Sequence, residues 1–480
     1  MITRQEIYEL YEQGPEALVD LIEMLLKQNE QLTQRVKELE ERLNKNSRNS
    51  DKPPSSDGLK KRPPKPKRIR DKKKRQPGGQ TDHQGNTLKM SADVDETIRY
   101  ECQSCQECGH DLSEVAGQIG RKKQVVDIPK PQIIITEHQA IEKVCPCCHA
   151  KNTGELPKHL TGNVQYGSGL RALVNYLMIY QLLPYERTTE LLGAIYGISP
   201  SKGTLYRMLQ DGYTQLEEAE EAIRGAITTA AVIHCDETGH RVGAKTRWLH
   251  VASTKLMTFY YSNRARGGIA YQAGDVLPHY KGVAVHDFYH SYLKVECEHA
   301  LCNAHLIREL KRVIERDPSQ QWANSFIRLL VTAHKMTQIA RNNGKTALSE
   351  VALARLSEKY DALLAIADQL NPKAMSNGKR GRTKQTKTRN LIDRLLTHKM
   401  NILRFIYNFN VPFDNNLAER DLRMVKVQQK ISNCFRSELG AEMFCRIRGY
   451  ISTLLKQGYD VFHTLTEVMQ GNVLIPIPAE

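Results

Sequence analysis

A multidomain α+β protein is predicted for this chain by three features: an apolar heptad seam near the start, two Cys-x-x-Cys knuckles about forty residues apart, and strands alternating with helices after residue 229. Its 480 residues suggest roughly three domains, and 40% hydrophobic residues are enough for several cores. The net charge of +15 and pI near 9.2 point to a polyanionic partner, nucleic acid before acidic membrane. No apolar run approaches the length of a membrane span, and the start MITRQEIYELYEQG lacks the basic-then-apolar order of a signal peptide, so a cytoplasmic protein with no membrane partner is expected. Eleven cysteines in a reducing compartment are not expected to be disulfides.

The first segment, 1–46, is predicted to be a leucine-zipper-like coiled coil. Leu18, Ile22, Leu25, Asn29, Leu32, Val36, Leu39 and Leu43 are spaced alternately four and three apart, as d and a positions are. The single Asn29 in that seam is a device for fixing the register of a two-stranded coil, so a homodimer or higher oligomer is expected. A helix folded back on its own core is the plainer alternative.

From 47 to 90 the chain reads as a basic, Pro-rich arm. Between Asp51 and Gln80, twelve Lys or Arg stand against three Asp, a local charge of +9. Like charges and prolines at this density oppose a packed core. The run Lys72, Lys73, Lys74 and Arg75 suits sequence-independent contact with phosphates, and a solvated linker is the alternative.

Residues 91–160 are predicted to be a zinc-binding domain. Cys105-x-x-Cys108 and Cys145-x-x-Cys148 can wrap four thiolates around one structural Zn²⁺. Cys102, Cys147, His110 and His149 could each replace one ligand, and unpaired thiols are the plain reading. Between the knuckles, QVVDIPKPQIIITEHQAIEKV alternates like two strands, which suits a small ribbon. Residues 161–225 read as helical, and ERTTELLGAIYGISPSKGTLYRML as helix, Gly-Ile-Ser-Pro turn, helix. Helix-turn-helix DNA binding and an ordinary helical hairpin fit that stretch equally.

The catalytic segment is predicted from 226–306 and 401–460, with an α-helical insertion at 307–400 and a tail at 461–480. TAAVIHCDETGH reads as an apolar strand ending at Asp236; TRWLHVAST and LMTFYYSNR continue a meander; KGVAVHDFYHSY is a strand ending at Asp287. Three antiparallel strands followed by strands alternating with helices suit a ribonuclease H-like α/β sheet. A third acid can come from a later helix, VPFDNNLAERDLRMVKVQQK. At about 100° per residue, Asn415, Glu419, Arg423, Lys426 and Lys430 share one polar face, with Leu417, Met424 and Ile431 on another. A Glu419–Arg423 ion pair on a solvated face is the bland reading. The sharper one makes Glu419 a metal ligand and Arg423, Lys426 and Lys430 contacts to DNA phosphates. Asp414, two residues after Pro412, suits an N-cap, and Asp421 lies about 160° around the helix from Glu419.

Three carboxylates at one place suit hard, oxygen-preferring ions. Two Mg²⁺ about 3.5–4 Å apart activate water and neutralise charge in phosphodiester cleavage. An Asp at a strand end alone more often caps a turn. In combination, Asp236 is expected to bridge both ions, with Asp287 and Glu419 each completing one. Cys302-x-x-His305 reads as a buried structural pair, with contact to DNA or support of Asp287 as the active-site alternative. The loop MSNGKRGRTKQTKTRN within the helical insertion is a further candidate for touching DNA.

HCDETGHRV, KGVAVHDFYHSY, LCNAHLIREL, PFDNNLAERDLRMVKVQQKISNCFRS and FCRIRGYISTLLKQG together resemble the insertion sequence 66 family of bacterial DDE transposases. The leucine-rich start, the NSRNSDKPPSSDG linker and the paired knuckles extend the resemblance over nearly the whole chain. One departure is GGQTDHQG, where the family often has GGQPGH. The resemblance implies that the DDE triad falls on Asp236, Asp287 and Glu419. It also implies recognition of terminal inverted repeats, cleavage of the element ends, joining of 3′-hydroxyls to target DNA, nucleoid association, and small accessory proteins encoded alongside. A catalytically inactive, transposase-derived DNA-binding regulator and a structure-specific nuclease without a joining step are the alternatives.

Overall fold

Heptad spacing at the N-terminus gives a helical hairpin in the computed structural model, which describes residues 4–43, 88–129, 131–375 and 383–476. Helix α1 (Arg4–Glu12) turns at Gly14, φ +115°, into α2 (Pro15–Leu43). Pro15 opens α2 where its missing N–H has no helical partner to lose. Ile22, Leu25, Leu32, Val36 and Leu39 on α2 are 45–65% exposed, so the seam is bare in the single chain. Lys72, Lys73, Lys74 and Arg75 of the basic arm, and residues 376–382 of the basic loop in the insertion, lie outside the described residues.

The chain divides into two compact units, Leu59–Glu137 and the remainder. In the smaller unit the Cys105 knuckle carries a single bridge, Ser104 to Asp111. In the larger unit β1 (Glu142–Val144) pairs antiparallel with β2 (Lys151–Thr153) on either side of the Cys145 knuckle. The two strands expected across 124–144 are corrected here: among the described residues only β1 forms. Val125, Ile134 and Ile135 are about 90% exposed, and an apolar alternation without a surface to cover one face does not hold a sheet.

Helical structure follows as expected from 169 onward. Helix α3 (Ser168–Asn175) runs into a π-turn at Tyr176–Tyr180, followed by α4 (Tyr185–Tyr196), α5 (Lys202–Gln215) and α6 (Glu217–Thr229). Gly197, left-handed at φ 72°, ends α4, and the Ser201 hydroxyl accepts the Thr204 N–H to start α5.

A mixed sheet comes next. Strands β3 (Val232–Val242), β4 (Lys245–Ser253) and β5 (Thr258–Asn263) form an antiparallel meander. After α7 (Gly268–Gly274), β6 (Val283–His286) adds parallel to β3 and β7 (Glu298–Leu301) parallel to β6, giving the order β5-β4-β3-β6-β7. The first strand is longer than expected: its register continues opposite β4 for six residues beyond Asp236, through Val242, so Asp236 lies within β3 rather than at its end. Only its first half is apolar, which is why the sequence pattern stops early.

Helices α8 (Asn303–Arg316), α9 (Gln321–Asn342), α10 (Glu350–Leu370), α11 (Lys387–Thr397) and α12 (Lys399–Tyr407) close a core of their own around Leu310, Phe326, Tyr360, Ile392 and Ile406. The chain then returns to the sheet with α13 (Asn416–Ser432), α14 (Glu438–Gln457) and α15 (Val461–Gln470), which share the main core with α3–α6. Helix α14 lies against β5 so closely that a Cβ on Gly449 would sit 3.1 Å from the Thr258 carbonyl oxygen. No helix among the described residues is long and apolar enough to cross a membrane.

Asp421 on α13 meets Lys456 on α14 at 2.8 Å, and the same ammonium donates to the carbonyls of Thr254 and Met257. Tyr260 donates its hydroxyl proton to the Asp421 carbonyl. Both charged side chains are largely buried, so removing one strands the other. Lys456→Met is expected to lower stability by about 3–5 kcal/mol, and adding Asp421→Asn to recover part of it. Urea unfolding midpoints of the single and double variants check this; strictly additive losses would show that the two groups are not coupled.

Candidate active site

Where β6 stops, β3 loses its neighbour on that side, and the carbonyls that point there need other partners. Helix α13 supplies them. The Asn415 side-chain amide donates to the Cys235 carbonyl at 2.8 Å, and Lys426 Nζ donates to the Gly239 carbonyl at 2.6 Å, joined there by Gln429 at 3.1 Å. Asp236 lies between those two carbonyls on β3. Glu419 lies between those two side chains on α13.

The parallel register aligns the other acid. His234 is level with Val285, the last pair of the parallel register; two residues further along each chain come Asp236, still within β3, and Asp287, the first residue after β6. Asp236 Oδ1 accepts the Glu237 N–H at 2.8 Å, and Asp287 Oδ1 accepts the Tyr289 N–H at 2.8 Å. Burial, and after it the charges of Glu237 and Asp287, push the Asp236 carboxyl well above the usual carboxylate range; Glu419 acts in the same direction.

Glu419 sits in the first turn of α13, where the helix dipole favours an acid. His305 Nδ1 approaches its Oε1 at 3.5 Å and Arg308 Nη2 its Oε2 at 3.7 Å, too long for hydrogen bonds. Oε1 is buried without a hydrogen-bond partner. Cys302 and His305 are therefore beside Glu419, where their ligand atoms and its carboxylate lie within 4.8 Å of one another. Cys302 Sγ accepts the Asn415 N–H at 3.2 Å, and burial pushes its thiol up to about 12.

The face reading of α13 needs two corrections. Ala418, Leu422, Val425 and Gln428 are the buried positions, whereas Ile431 is 40% exposed and Leu417 and Met424 are half-buried. Lys426, expected to face phosphate, is half-buried with its ammonium on β3, and desolvation lowers its pKa. Arg423 and Lys430 are exposed. Asp414 holds the Asn416 N–H at 3.1 Å, while the N-cap position belongs to Asn415. Asp421 points into its ion pair with Lys456, away from the acids.

Three positions around the candidate site escaped the sequence reading. Asn415, read as one polar residue of a solvated face, is 1% exposed and also meets His234 Nδ1 at 2.9 Å. Glu237 and Arg266 form a 2.8 Å pair, and Tyr292 donates to the other Glu237 oxygen at 2.5 Å. Adjacent acids in the strand HCDETGH were the available signal for Glu237, since neighbours in a strand face opposite ways.

The cysteine knuckles belong to different compact units. In one, Cys105 N–H donates to the His110 carbonyl and Gly109 N–H to the Cys105 carbonyl; in the other, Cys145 and His149 N–H donate to Ala150 and Cys145 in the same manner. Gly109 and His149 both take positive φ, 73° and 56°. The backbone N–H groups of Cys108 and Cys148, respectively, are the main cause that lowers the Cys105 and Cys145 thiol pKa values. Cys102 donates to the Ser104 carbonyl at 3.1 Å, and Cys147 is exposed.

Residues 4–89 match a family of unknown function (DUF6444). No curated protein gives a match to the chain. Residues 163–443, more than half of the chain and the span that holds Asp236, Asp287 and Glu419, match the family described as Transposase IS66 family, and the protein belongs to that family.

Proposed function

We propose that this transposase cuts the ends of its element and joins them to target DNA at Asp236, Asp287 and Glu419. The observation that carries the reading is the pinning of α13 along β3 on both sides of Asp236, with Asp287 immediately after the neighbouring strand β6. The strand order β5-β4-β3-β6-β7 fits a ribonuclease H-like sheet interrupted by α8–α12. The acids suit divalent cations: Glu419 Oε1 is buried without a hydrogen-bond partner, and burial together with the charges of Glu237 and Asp287 opposes ionising Asp236, an opposition that a bound cation would offset. Mg²⁺, when bound, supplies positive charge at the scissile phosphate and lowers the pKa of water.

The residues do the rest. Asp236 and Asp287, each fixed by one backbone N–H, offer their free oxygens to the cations. Glu419 completes the set from the first turn of α13. Exposed Arg423 and Lys430 meet the DNA backbone further along the same helix, with the basic arm adding sequence-independent attraction. The inverted repeats of the element and the target duplex are the DNA partners.

Glu419→Gln and Asp236→Asn are expected to abolish cleavage and joining while DNA binding persists or tightens, because a negative charge beside phosphate has gone. Incubating each variant with a labelled element end and supercoiled plasmid in Mg²⁺ measures both steps. Asp421→Asn should keep measurable turnover. Near wild-type cutting by Glu419→Gln would remove that residue from the site, and cutting without joined product would leave a nuclease.

The knuckles are proposed to hold structural zinc, since N–H groups directed at Cys105 and Cys145 favour the thiolate that zinc requires. Metal analysis of the purified chain should find about one zinc ion, as four thiolates per ion require, and Cys105→Ser with Cys148→Ser should lose it. A zinc-free wild-type protein whose 91–160 region resists protease would contradict this.

The bare seam of α2 is proposed to pair with a second copy of the chain. Leu32→Glu with Leu39→Glu should reduce the mass measured by light scattering of the full chain to that of a monomer. An unchanged mass would place the oligomer contact elsewhere.

A further inference from the structure

The four residues 264–267 between β5 and α7 are tied down far more tightly than an ordinary surface loop. Ala265 N–H donates to Asn263 Oδ1 at 2.8 Å, and the Ala265 carbonyl accepts from His250 Nε2 at 3.3 Å. Gly267 is packed so that a Cβ there would come within 2.8 Å of Ser291 Oγ, which fixes the loop against the segment following Asp287. Everything in this arrangement holds one side chain, Arg266.

Its guanidinium carbon lies 4.1 Å from the ring centre of Tyr289 and 4.7 Å from that of Trp248, and Nε donates to Glu237 Oε1 at 2.8 Å. Glu237 is 1% exposed on its side chain whereas Arg266 is 39% exposed. The buried partner is thus committed to the cation, with its second oxygen already taken by Tyr292. Among the described residues neither Nη atom has a hydrogen-bond partner. Two rings and a carboxylate fix the plane of the fork and leave its donor-rich end unused. A fixed guanidinium fork matches the two free oxygens of a phosphodiester. The cation takes one face of each ring, so a nucleobase cannot stack between the two.

The loop is coupled to the acids through the chain. Glu237 follows Asp236 on β3, and the Tyr289 N–H donates to Asp287 Oδ1. Asp287 is close enough to act electrostatically on Asp236, Glu237 and Arg266 alike.

We propose that Arg266 is a phosphate-binding residue of the transposase, gripping through its Nη atoms a DNA phosphate a few nucleotides from the one being cut, on the Asp287 side. Glu237, Trp248 and Tyr289 are its positioning residues. The location relative to the cut rests on the proposed reading of Asp236 and Asp287, but the phosphate contact can be tested without cleavage. The probe is a duplex carrying the terminal repeat that flanks the gene, with one neutral methylphosphonate linkage at a time across the repeat, bound in Ca²⁺ to the full chain.

The wild type should lose about tenfold in affinity at one linkage where the Arg266 contact falls. Arg266→Ala should lose about tenfold on unmodified DNA and nothing further at that linkage, and Arg266→Lys should recover part of the loss there. A merely structural arginine would weaken binding equally at every linkage. Arg266→Gln, which keeps the stem and a donor for Glu237, serves if the alanine variant does not fold. Normal binding by a folded Arg266 variant, or losses that multiply at every linkage, would overturn the proposal. Should Asp236→Asn still cut while the single-linkage signature persists, the catalytic reading fails and the phosphate contact stands.

Discussion

The Cys235 and Gly239 carbonyls on the edge of β3 set the arrangement on which the site depends. Strand β6 is too short to pair with them, and buried carbonyls cannot be left without donors. A strand in that place would have sealed the sheet. A helix satisfies the same two groups with the side chains of Asn415 and Lys426, and brings a carboxylate between them. A peptide edge that needed donors thereby fixes both the height and the rotation of Glu419. Asn415 extends the constraint to α8, because its backbone N–H is held by Cys302.

Rotation of α13 is fixed a second time from its other side. The Asp421–Lys456 pair and the Tyr260 hydrogen bond bind it to α14 and β5. Glu419 and Asp421 are two residues apart, so one cannot face the inner ion pair without the other turning toward β3. Two acids close in sequence take different roles because the helix separates them in angle. The neighbouring groups agree: a lysine at 2.8 Å for Asp421, only a loose imidazole and an arginine beyond 3.4 Å for Glu419.

Much of this was legible in the sequence, for physical reasons that also mark where legibility ends. Heptads gave α2, and strand-length apolar runs located β3 to β7, because burial selects side chains with a fixed period. Asp287 follows directly from such a run. The extent of β3 was hidden, since GHRV beyond Asp236 forms a hairpin with β4 and needs no apolar alternation. Lys426 was misjudged because periodicity assigns a lysine to a polar face without indicating whether that face meets water or a carbonyl. Asn415 was hidden for the same reason: its partners lie 180 and 181 residues away in sequence. Long-range polar pairing carries no period, so a single sequence read by period cannot find it.

The distribution of counter-charge around the acids gives the last step. Glu237 has Arg266, Asp421 has Lys456, and Glu419 has only Arg308 at 3.7 Å and the imidazole of His305 at 3.5 Å. Among the described residues no ion pair involves Asp236 or Asp287, although burial already opposes ionising Asp236. A protein that merely tolerated these acids would be more stable with amides in their place, since an amide carries no charge to desolvate. Two carboxyl groups without counter-ions, on a framework that neutralises the acids on either side of them, are thereby concentrated at one place, where a cation would offset the burial that opposes ionising Asp236. On the proposed reading, cations arriving from solution with a polyanionic partner would ionise these acids, and the ionised acids would repel the same partner in the absence of the cations. On the proposed reading of the site, binding of DNA and of divalent ions would be coupled through the same two carboxylates.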